Sequence, residues 1–346
     1  MIRSANTIGA AADLVSLFRE GLRGSAVREG EVVVVYADSL TSPQYPAAFL
    51  AAAKDLGADA VQIVQPGVPP AAVGGGRAKP SALIREAMVA ADLVVDVSTG
   101  GMLHAHEQDT ILASGTRILR IREPEDCLQR LMPSPEVRDR SLRGRARLAA
   151  GTAIRVAFDD GAHLSMQRGD RQVLVQYAMA DEPGRWDHWP TGMVNTTPVE
   201  SSVEGELVIA PGSIIFPLSV YVTEPVKLNF TNGVAESIEG GREATLLRDY
   251  IDAAGDPNCR RLAHIGWGTD HRARWHSLAI RGADGGGGAE ARSIYGGVLV
   301  ALGENRDLGG ENTAALHIDI ALRRARFELD GDPICENGTF LDDALA

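Results

Sequence analysis

The sequence predicts an α/β N-terminal domain with a mostly parallel sheet, followed by an α+β, largely antiparallel C-terminal domain that binds a metal. Up to about residue 150, short β-branched runs alternate with helix-compatible segments. Beyond it, short alternating strands follow one another with turn residues between them. One of these later strands carries a histidine and an aspartate two positions apart, which indicates the metal. The predicted domains span residues 1–149 and 150–346.

Four apolar runs predict the strands of the N-terminal sheet. They are EVVVVYA at 31–37, AVQIVQ at 60–65, DLVVDVS at 92–98 and TRILRI at 116–121. Helix-compatible segments such as SALIREAMVAA lie between them. Strands that alternate with helices form a parallel sheet with helices on both faces, so this half is predicted to be α/β.

The C-terminal half has a different pattern of short strands separated by close turns. AIRVAF, QVLVQYAM and GELVIA are examples, and this arrangement is typical of antiparallel sheet. The segment ATLLRDYIDAAG at 244–255 predicts an amphipathic helix that ends at a glycine. The C-terminal domain is therefore predicted to be α+β.

Composition limits the classes of partner. The 346 residues carry a net charge of -12, which argues against non-specific binding to nucleic acid. No run reaches the roughly 18 apolar residues of a membrane span, and the first twenty residues do not resemble a signal peptide. Three widely spaced cysteines fit reduced thiols better than a disulfide framework. We therefore expect a cytoplasmic protein without nucleic-acid or membrane partners. The cysteines are Cys127, Cys259 and Cys335.

The segment LHIDI at 316–320 is the strongest local feature. In a strand, side chains two positions apart share a face, so His317 and Asp319 point to one side and their apolar neighbours to the other. A rigid strand can supply two metal ligands in this way. The motif is weak on its own, and a half-exposed strand without a metal is the alternative.

A third ligand is expected from the segment LAHIGWGTDHRARW. His264 lies there between an apolar pair and a Gly-rich turn, whereas His271 and His276 are flanked by arginines and are expected to be exposed. Two histidines and one carboxylate form a facial triad, which leaves positions open on iron(II) for substrate and dioxygen. A structural role for His264 is the alternative.

Other histidines stand near predicted strands of the N-terminal half. His104 and His106 follow the strand DLVVDVS, and ligands of open α/β sheets bind outside the carboxyl ends of strands. Capping or surface roles are equally compatible with the sequence. His188 lies between Trp186 and Trp189, which are predicted either to wall an aromatic pocket or to belong to the core.

Several stretches together resemble a known fold family. WPTGMVNTTPVESSVEGELVIAPGS, IEGGREATLLRDYI, LAHIGWGTDHRARW and LGGENTAALHIDIAL resemble the thermophilic-type (M29) metalloaminopeptidases, and more specifically their oxygenase branch, the 2,5-dihydroxypyridine 5,6-dioxygenases. The resemblance implies one Fe(2+) ion held by His264, His317 and Asp319. It also implies that His104 and His188 bind the substrate ring and act on its protons, with Leu103 packed beside the ring.

The resemblance implies an iron(II)-dependent, extradiol-type dioxygenase. The reaction would convert 2,5-dihydroxypyridine and O2 to N-formylmaleamic acid in nicotinic acid and nicotine degradation, and the protein would be a homo-oligomer. A metal-dependent aminopeptidase or other hydrolase is the alternative. Peptidases of this fold hold two adjacent metals with glutamates, but here His264 replaces one glutamate and Tyr295 replaces a histidine, while Glu243 is kept. A lone carboxylate does not make a second metal site.

Overall fold

The computed structural model describes residues 5–67, 79–102, 106–281 and 288–346. The chain divides into two compact units, each made of two segments. The first unit comprises Met1–Ser134 and Tyr177–Pro190, and the second comprises Pro135–Gln176 and Thr191–Ala346. The predicted boundary at 149/150 differs from this division in two respects. The segment 135–149 belongs to the second unit, and the segment 177–190 returns to the first.

The helices and strands follow the chain in this order. The helices are α1 (Ala5–Gly24), α2 (Gln44–Asp55), α3 (Ala82–Val89), α4 (His106–Ala113), α5 (Glu125–Arg130), α6 (Pro135–Ala150), α7 (Arg242–Ala253), α8 (Ser277–Arg281) and α9 (Gly288–Arg292). The strands are β1 (Val32–Asp38), β2 (Asp59–Gln65), β3 (Leu93–Asp96), β4 (Arg117–Ile121), β5 (Ala153–Phe158), β6 (His163–Gln167), β7 (Val173–Gln176), β8 (Trp186–Trp189), β9 (Met193–Thr196), β10 (Glu204–Ile209), β11 (Ile214–Ile215), β12 (Val220–Tyr221), β13 (Val226–Thr231), β14 (Val234–Glu239), β15 (Leu262–Gly268), β16 (Val298–Gly303), β17 (His317–Ala321), β18 (Ala325–Leu329), β19 (Asp332–Glu336) and β20 (Thr339–Phe340).

The first unit contains a parallel sheet with the strand order β2-β1-β3-β4-β8. Its central strands are buried on both faces, which explains their continuous apolar runs. Val33 packs on one face in a cluster with Phe18 of α1 and Phe49 of α2, and Val34 packs on the other with Met88 of α3. The predicted parallel sheet with helices on both faces is confirmed.

The fifth strand of this sheet, β8, comes from a segment that the sequence analysis did not identify as a strand. Its WDHW residues pair in parallel with β4. Trp189 is buried in the core, its indole nitrogen donates to the carbonyl of Leu131 at 3.1 Å, and its ring lies 6.0 Å from that of Phe18. Of the two interpretations of the tryptophans, the core role therefore holds for Trp189.

The second unit contains two sheets in which the strands pair in antiparallel fashion. Their strand orders are β14-β13-β10-β6-β5-β18-β19-β20 and β12-β11-β17-β16-β15-β9-β7. Alternating burial along β5 and β13 reflects the alternating sequence pattern that predicted them. The amphipathic helix predicted at 244–255 is α7, so the α+β, largely antiparallel prediction is confirmed.

Two further sequence expectations concern partners and thiols. No helix in the described part of the chain combines the length and apolar character needed to cross a bilayer. All three cysteines are free and buried, in agreement with the expectation of reduced thiols.

Gly266 in β15 lies against the neighbouring strand β9. A methyl group on Gly266 would lie 1.9 Å from the carbonyl oxygen of Val194, a backbone atom that a side-chain rotation cannot move away. We expect Gly266→Ala to lower the free energy of unfolding by about 1–3 kcal/mol or more, because the two strands must separate. Urea denaturation measures this change. Gly288→Ala is the control, since its methyl group would lie 3.5 Å from Phe216, and equal stability of both variants would contradict the prediction.

Candidate metal centre

The predicted HxD pair lies on β17, in the middle of a sheet of the second unit. Ile318 and Ile320, on the opposite face of the strand, are completely buried. His317 and Asp319 share the other face, with side-chain exposures of 11% and 10%. The alternation that the sequence predicted is therefore present, and it separates the apolar face from the polar face.

The third residue, His264, comes from β15, two strands away in the same sheet. Strand β16 lies between them, and Ala301 pairs with His264 on one side and with Asp319 on the other. Directly opposed residues in an antiparallel sheet project to the same face. The small side chain of Ala301 leaves space above the sheet in which the longer side chains of its neighbours meet.

Three donor atoms meet above this face. The Nε2 atom of His264 lies 3.2 Å from Oδ1 of Asp319, and the Nε2 atom of His317 lies 3.5 Å from the same oxygen. The three ligand atoms all lie within 4.8 Å of one another. The two imidazole rings are nearly stacked, with centroids 5.1 Å apart. This is the geometry of one small cation bound by three side chains.

Hydrogen bonds from surrounding groups fix the orientation of two of these side chains. His317 Nδ1 lies 2.8 Å from the carbonyl oxygen of Glu304, and because a carbonyl only accepts, Nδ1 carries the proton. Its Nε2 atom is then the nitrogen on the side of Asp319, 3.5 Å from Oδ1, and it is the atom that would bind a metal. The guanidinium of Arg292 donates to Oδ2 of Asp319 at 3.0 Å.

The remaining oxygen of Asp319 tests whether the site fits a metal. Oδ1 is buried and, within the described part of the chain, has no hydrogen-bond partner, although two imidazole nitrogens lie close to it. A buried carboxylate oxygen without a hydrogen bond is unfavourable unless a cation compensates it. The donor set and this unsatisfied oxygen therefore fit a metal ion.

The electrostatics of the site support the same conclusion. Burial by itself raises the pKa of Asp319, but Arg292 and His317 outweigh it and hold that pKa well below its ordinary value. Burial lowers the pKa of His264. For His317, burial lowers the pKa, but the Asp319 carboxylate raises it overall. The carboxylate is thus ionised, and a cation at the centre would take the place of a proton on His317.

Comparison with known proteins identifies the family. The NicX family model, described as 2,5-dihydroxypyridine 5,6-dioxygenase, matches residues 13–342. The chain belongs to this family. A 2,5-dihydroxypyridine 5,6-dioxygenase of Pseudomonas putida KT2440 is 36% identical over 328 residues, which are 92% of this chain and 93% of that protein. The family resemblance seen in the sequence is confirmed.

Solved structures extend the comparison to the fold. The structure of the 2,5-dihydroxypyridine dioxygenase from Pseudomonas putida KT2440 matches with a TM-score of 0.91 at 33% identity, covering 97% of this chain and 99% of that one. Wild-type AmpT from Thermus thermophilus matches with a TM-score of 0.55 at 14% identity, covering 95% and 99%. The second likeness shows a shared fold and nothing more.

His188, which the family resemblance places near the substrate, lies on β8 in the first unit. Its backbone N–H donates to Oδ1 of Asp187 at 2.7 Å, and its ring lies 5.5 Å from that of Trp186. Asp187 also accepts from the backbone of Tyr177 and from Arg185. Burial raises the pKa of Asp187 to about 6, while Arg185 opposes the shift. These contacts hold the strand rigidly at His188.

The other residues that the sequence analysis singled out, inside and outside the predicted site, have different outcomes. Leu103 and His104 lie outside the described residues. His271 and His276 are exposed, as expected. Glu243, the carboxylate kept from the peptidase pattern, accepts hydrogen bonds from Thr223 and is not part of the three-residue cluster.

Sequence reasoning missed Arg292. No motif around it indicates a role, because it ends a short helix that follows a Gly-rich segment. Its importance comes entirely from the contact with Asp319, a residue 27 positions away.

Proposed function

We propose that this protein is an iron(II)-dependent, extradiol-type dioxygenase that converts 2,5-dihydroxypyridine and O2 to N-formylmaleamic acid. Membership of the dioxygenase family supports the reaction. The observation that carries the proposal is the convergence of His264, His317 and Asp319 on one face of a sheet. The proposal also includes cytoplasmic location and homo-oligomeric assembly, which stay predictions from the sequence.

The donor set favours ferrous iron over the zinc pair of a peptidase. Two histidines and one carboxylate are the usual ligands of non-haem iron(II) oxygenases. Two-metal hydrolases hold two ions about 3.5–4 Å apart, so they need further ligands for the second ion. Among the described residues, only this group of three has the spacing of a metal site. Glu243 is bound to Thr223, so it does not supply the missing ligands.

In the proposed reaction both oxygen atoms of O2 enter the product and the C5–C6 bond of the ring breaks. Iron held by His264, His317 and Asp319 would supply electron transfer between ring and dioxygen. The chain orients these side chains by hydrogen bonds. The carbonyl of Glu304 accepts from His317, and Arg292 donates to Asp319. A rigid, preorganised ligand set of this kind keeps reacting groups in place.

Proton transfer is assigned to two further histidines. We favour His104 over His188 as the base that takes the proton from the hydroxyl on C5. The other histidine would steady the reacting oxygen or protonate it later. Imidazole suits both tasks because it titrates near neutral pH. His104 follows β3 in the sequence and His188 lies on β8, two parallel strands of one sheet. Ligands of such sheets bind outside the carboxyl ends of the strands, which supports the assignment.

Oxygen uptake by anaerobically iron-loaded protein tests the proposal. With 2,5-dihydroxypyridine we expect one O2 consumed per substrate, loss of the near-ultraviolet band of the ring, and two labelled oxygens in the product from 18O2. The zinc-loaded protein and 3-hydroxypyridine serve as controls and should give no uptake. Release of amino acids from short peptides with zinc or cobalt, without oxygen uptake, would instead establish the hydrolase.

A further inference from the structure

We propose that Arg292 is a positioning residue that makes Asp319 a one-oxygen ligand and thereby keeps coordination positions of the metal open. The inference rests on the proposed function, because it concerns the metal site that the function requires. Arg292 does not touch the donor atoms themselves. It acts through the second oxygen of the carboxylate.

The structure distinguishes the two oxygens of Asp319. Oδ2 accepts a hydrogen bond from the guanidinium of Arg292 at 3.0 Å. Oδ1 lies 3.2 Å from Nε2 of His264 and 3.5 Å from Nε2 of His317, and it has no hydrogen bond in the described part of the chain. One oxygen therefore faces the arginine and the other faces the donor atoms of the histidines.

The contact with Arg292 is sheltered from water. The Arg292 side chain is 16% exposed and the Asp319 side chain 10%. Charge-assisted hydrogen bonds between guanidinium and carboxylate are short and strong, and in a partly buried site they are not screened as surface pairs are. Oδ2 is thus engaged by a cationic donor, which disfavours its binding to a metal.

The number of carboxylate oxygens on the metal decides how many positions remain. Carboxylates bind cations through one oxygen or through two. With two imidazoles and one oxygen, an octahedral ion keeps three positions open, and with two oxygens it keeps only two. A third open position allows water, substrate and dioxygen to exchange without displacing a protein ligand.

The test uses cobalt(II) as a probe, because its visible spectrum reports the number and type of its ligands without any turnover. Cobalt(II) is loaded into the wild-type protein, into Arg292→Met and into a control, Arg143→Met. Arg143 is an exposed arginine of α6. We expect Arg292→Met to bind cobalt about 10–100-fold more weakly, the usual effect of losing a partner of a metal ligand. At saturation its spectrum should differ from that of the wild type, because Oδ2 is free to join the metal. Arg143→Met should match the wild type in both respects.

The spectrum separates this role from a merely structural one. If cobalt-saturated Arg292→Met keeps the wild-type spectrum, or binds cobalt with wild-type affinity, the proposal is overturned. A crystal structure of the cobalt-loaded wild type covers the case in which the variant does not fold. It should show Oδ1 on the metal and Oδ2 still on Arg292, and both oxygens on the metal would overturn the proposal. If cobalt binds in this way but the iron-loaded protein consumes no oxygen with 2,5-dihydroxypyridine, the dioxygenase is disproved while the role of Arg292 stays intact.

Discussion

Replacing Asp319 with asparagine is expected to remove bound iron and turnover together. The amide keeps the size of the side chain but loses the negative charge that holds a cation, and the cationic Arg292 loses the carboxylate that it contacts. Iron per chain after anaerobic reconstitution should fall to background, and oxygen uptake should fall with it. Ferrous iron should also raise the melting temperature of the wild type and leave that of Asp319→Asn unchanged.

An exposed aspartate of the other unit gives the matched control for this substitution. Asp59 lies at the start of β2 on the surface, so Asp59→Asn should keep full iron content and activity. Full iron occupancy in Asp319→Asn would show that this residue is not a ligand. Lost activity with retained iron would assign it a different role.

Replacing His188 with alanine is expected to keep the iron and slow the reaction by about 10²–10⁴-fold, the usual contribution of one acid–base group. Iron should stay bound because His188 is not one of the three donor residues of the metal cluster. Turnover should fall because His188, whose ring lies beside Trp186, is one of the two histidines proposed to transfer protons. The turnover number from an oxygen electrode, with iron content measured on the same sample, checks both parts. His104→Ala should behave in the same way.

His276→Ala is the control for the histidine variants, because His276 is exposed and outside the metal cluster. It should have wild-type iron content and turnover. An iron-free but folded His188→Ala protein would assign this histidine to the metal. A turnover number equal to that of the wild type would remove His188 from the proton-transfer steps.

Sequence patterns predicted correctly those features of the structure that depend on neighbouring residues alone. The face shared by His317 and Asp319 follows from the two-residue period of a strand, and the structure has this face. The four predicted strands of the first sheet follow from short apolar runs, and all four are present, although β2 at the edge of the sheet is mostly exposed. In these cases the residues themselves contain the information, because backbone geometry alone sets which side chains share a face.

Other features depended on pairing between distant segments. The segment WDHW is only four residues long and half of it is polar, so it does not stand out as a strand. It becomes one by pairing with β4, which ends 65 positions earlier. Helix α6 precedes the predicted boundary at 149/150 but groups with the second unit, since its buried residues pack there. A sequence pattern shows that a helix is amphipathic, but it does not show which surface will cover its apolar face.

The amino-acid sequence by itself determined the two fold classes and the HxD face, and it suggested, through family resemblance, His264 as the third member of the cluster. Only the tertiary structure decided that β16 separates β15 from β17, that Ala301 leaves the space where the donor atoms meet, and that Arg292 holds one oxygen of Asp319. The physical reason is the range of the forces involved. Periodicity and propensity act over a few neighbouring residues, whereas a metal centre depends on strand register and on ion pairs between residues far apart in the chain.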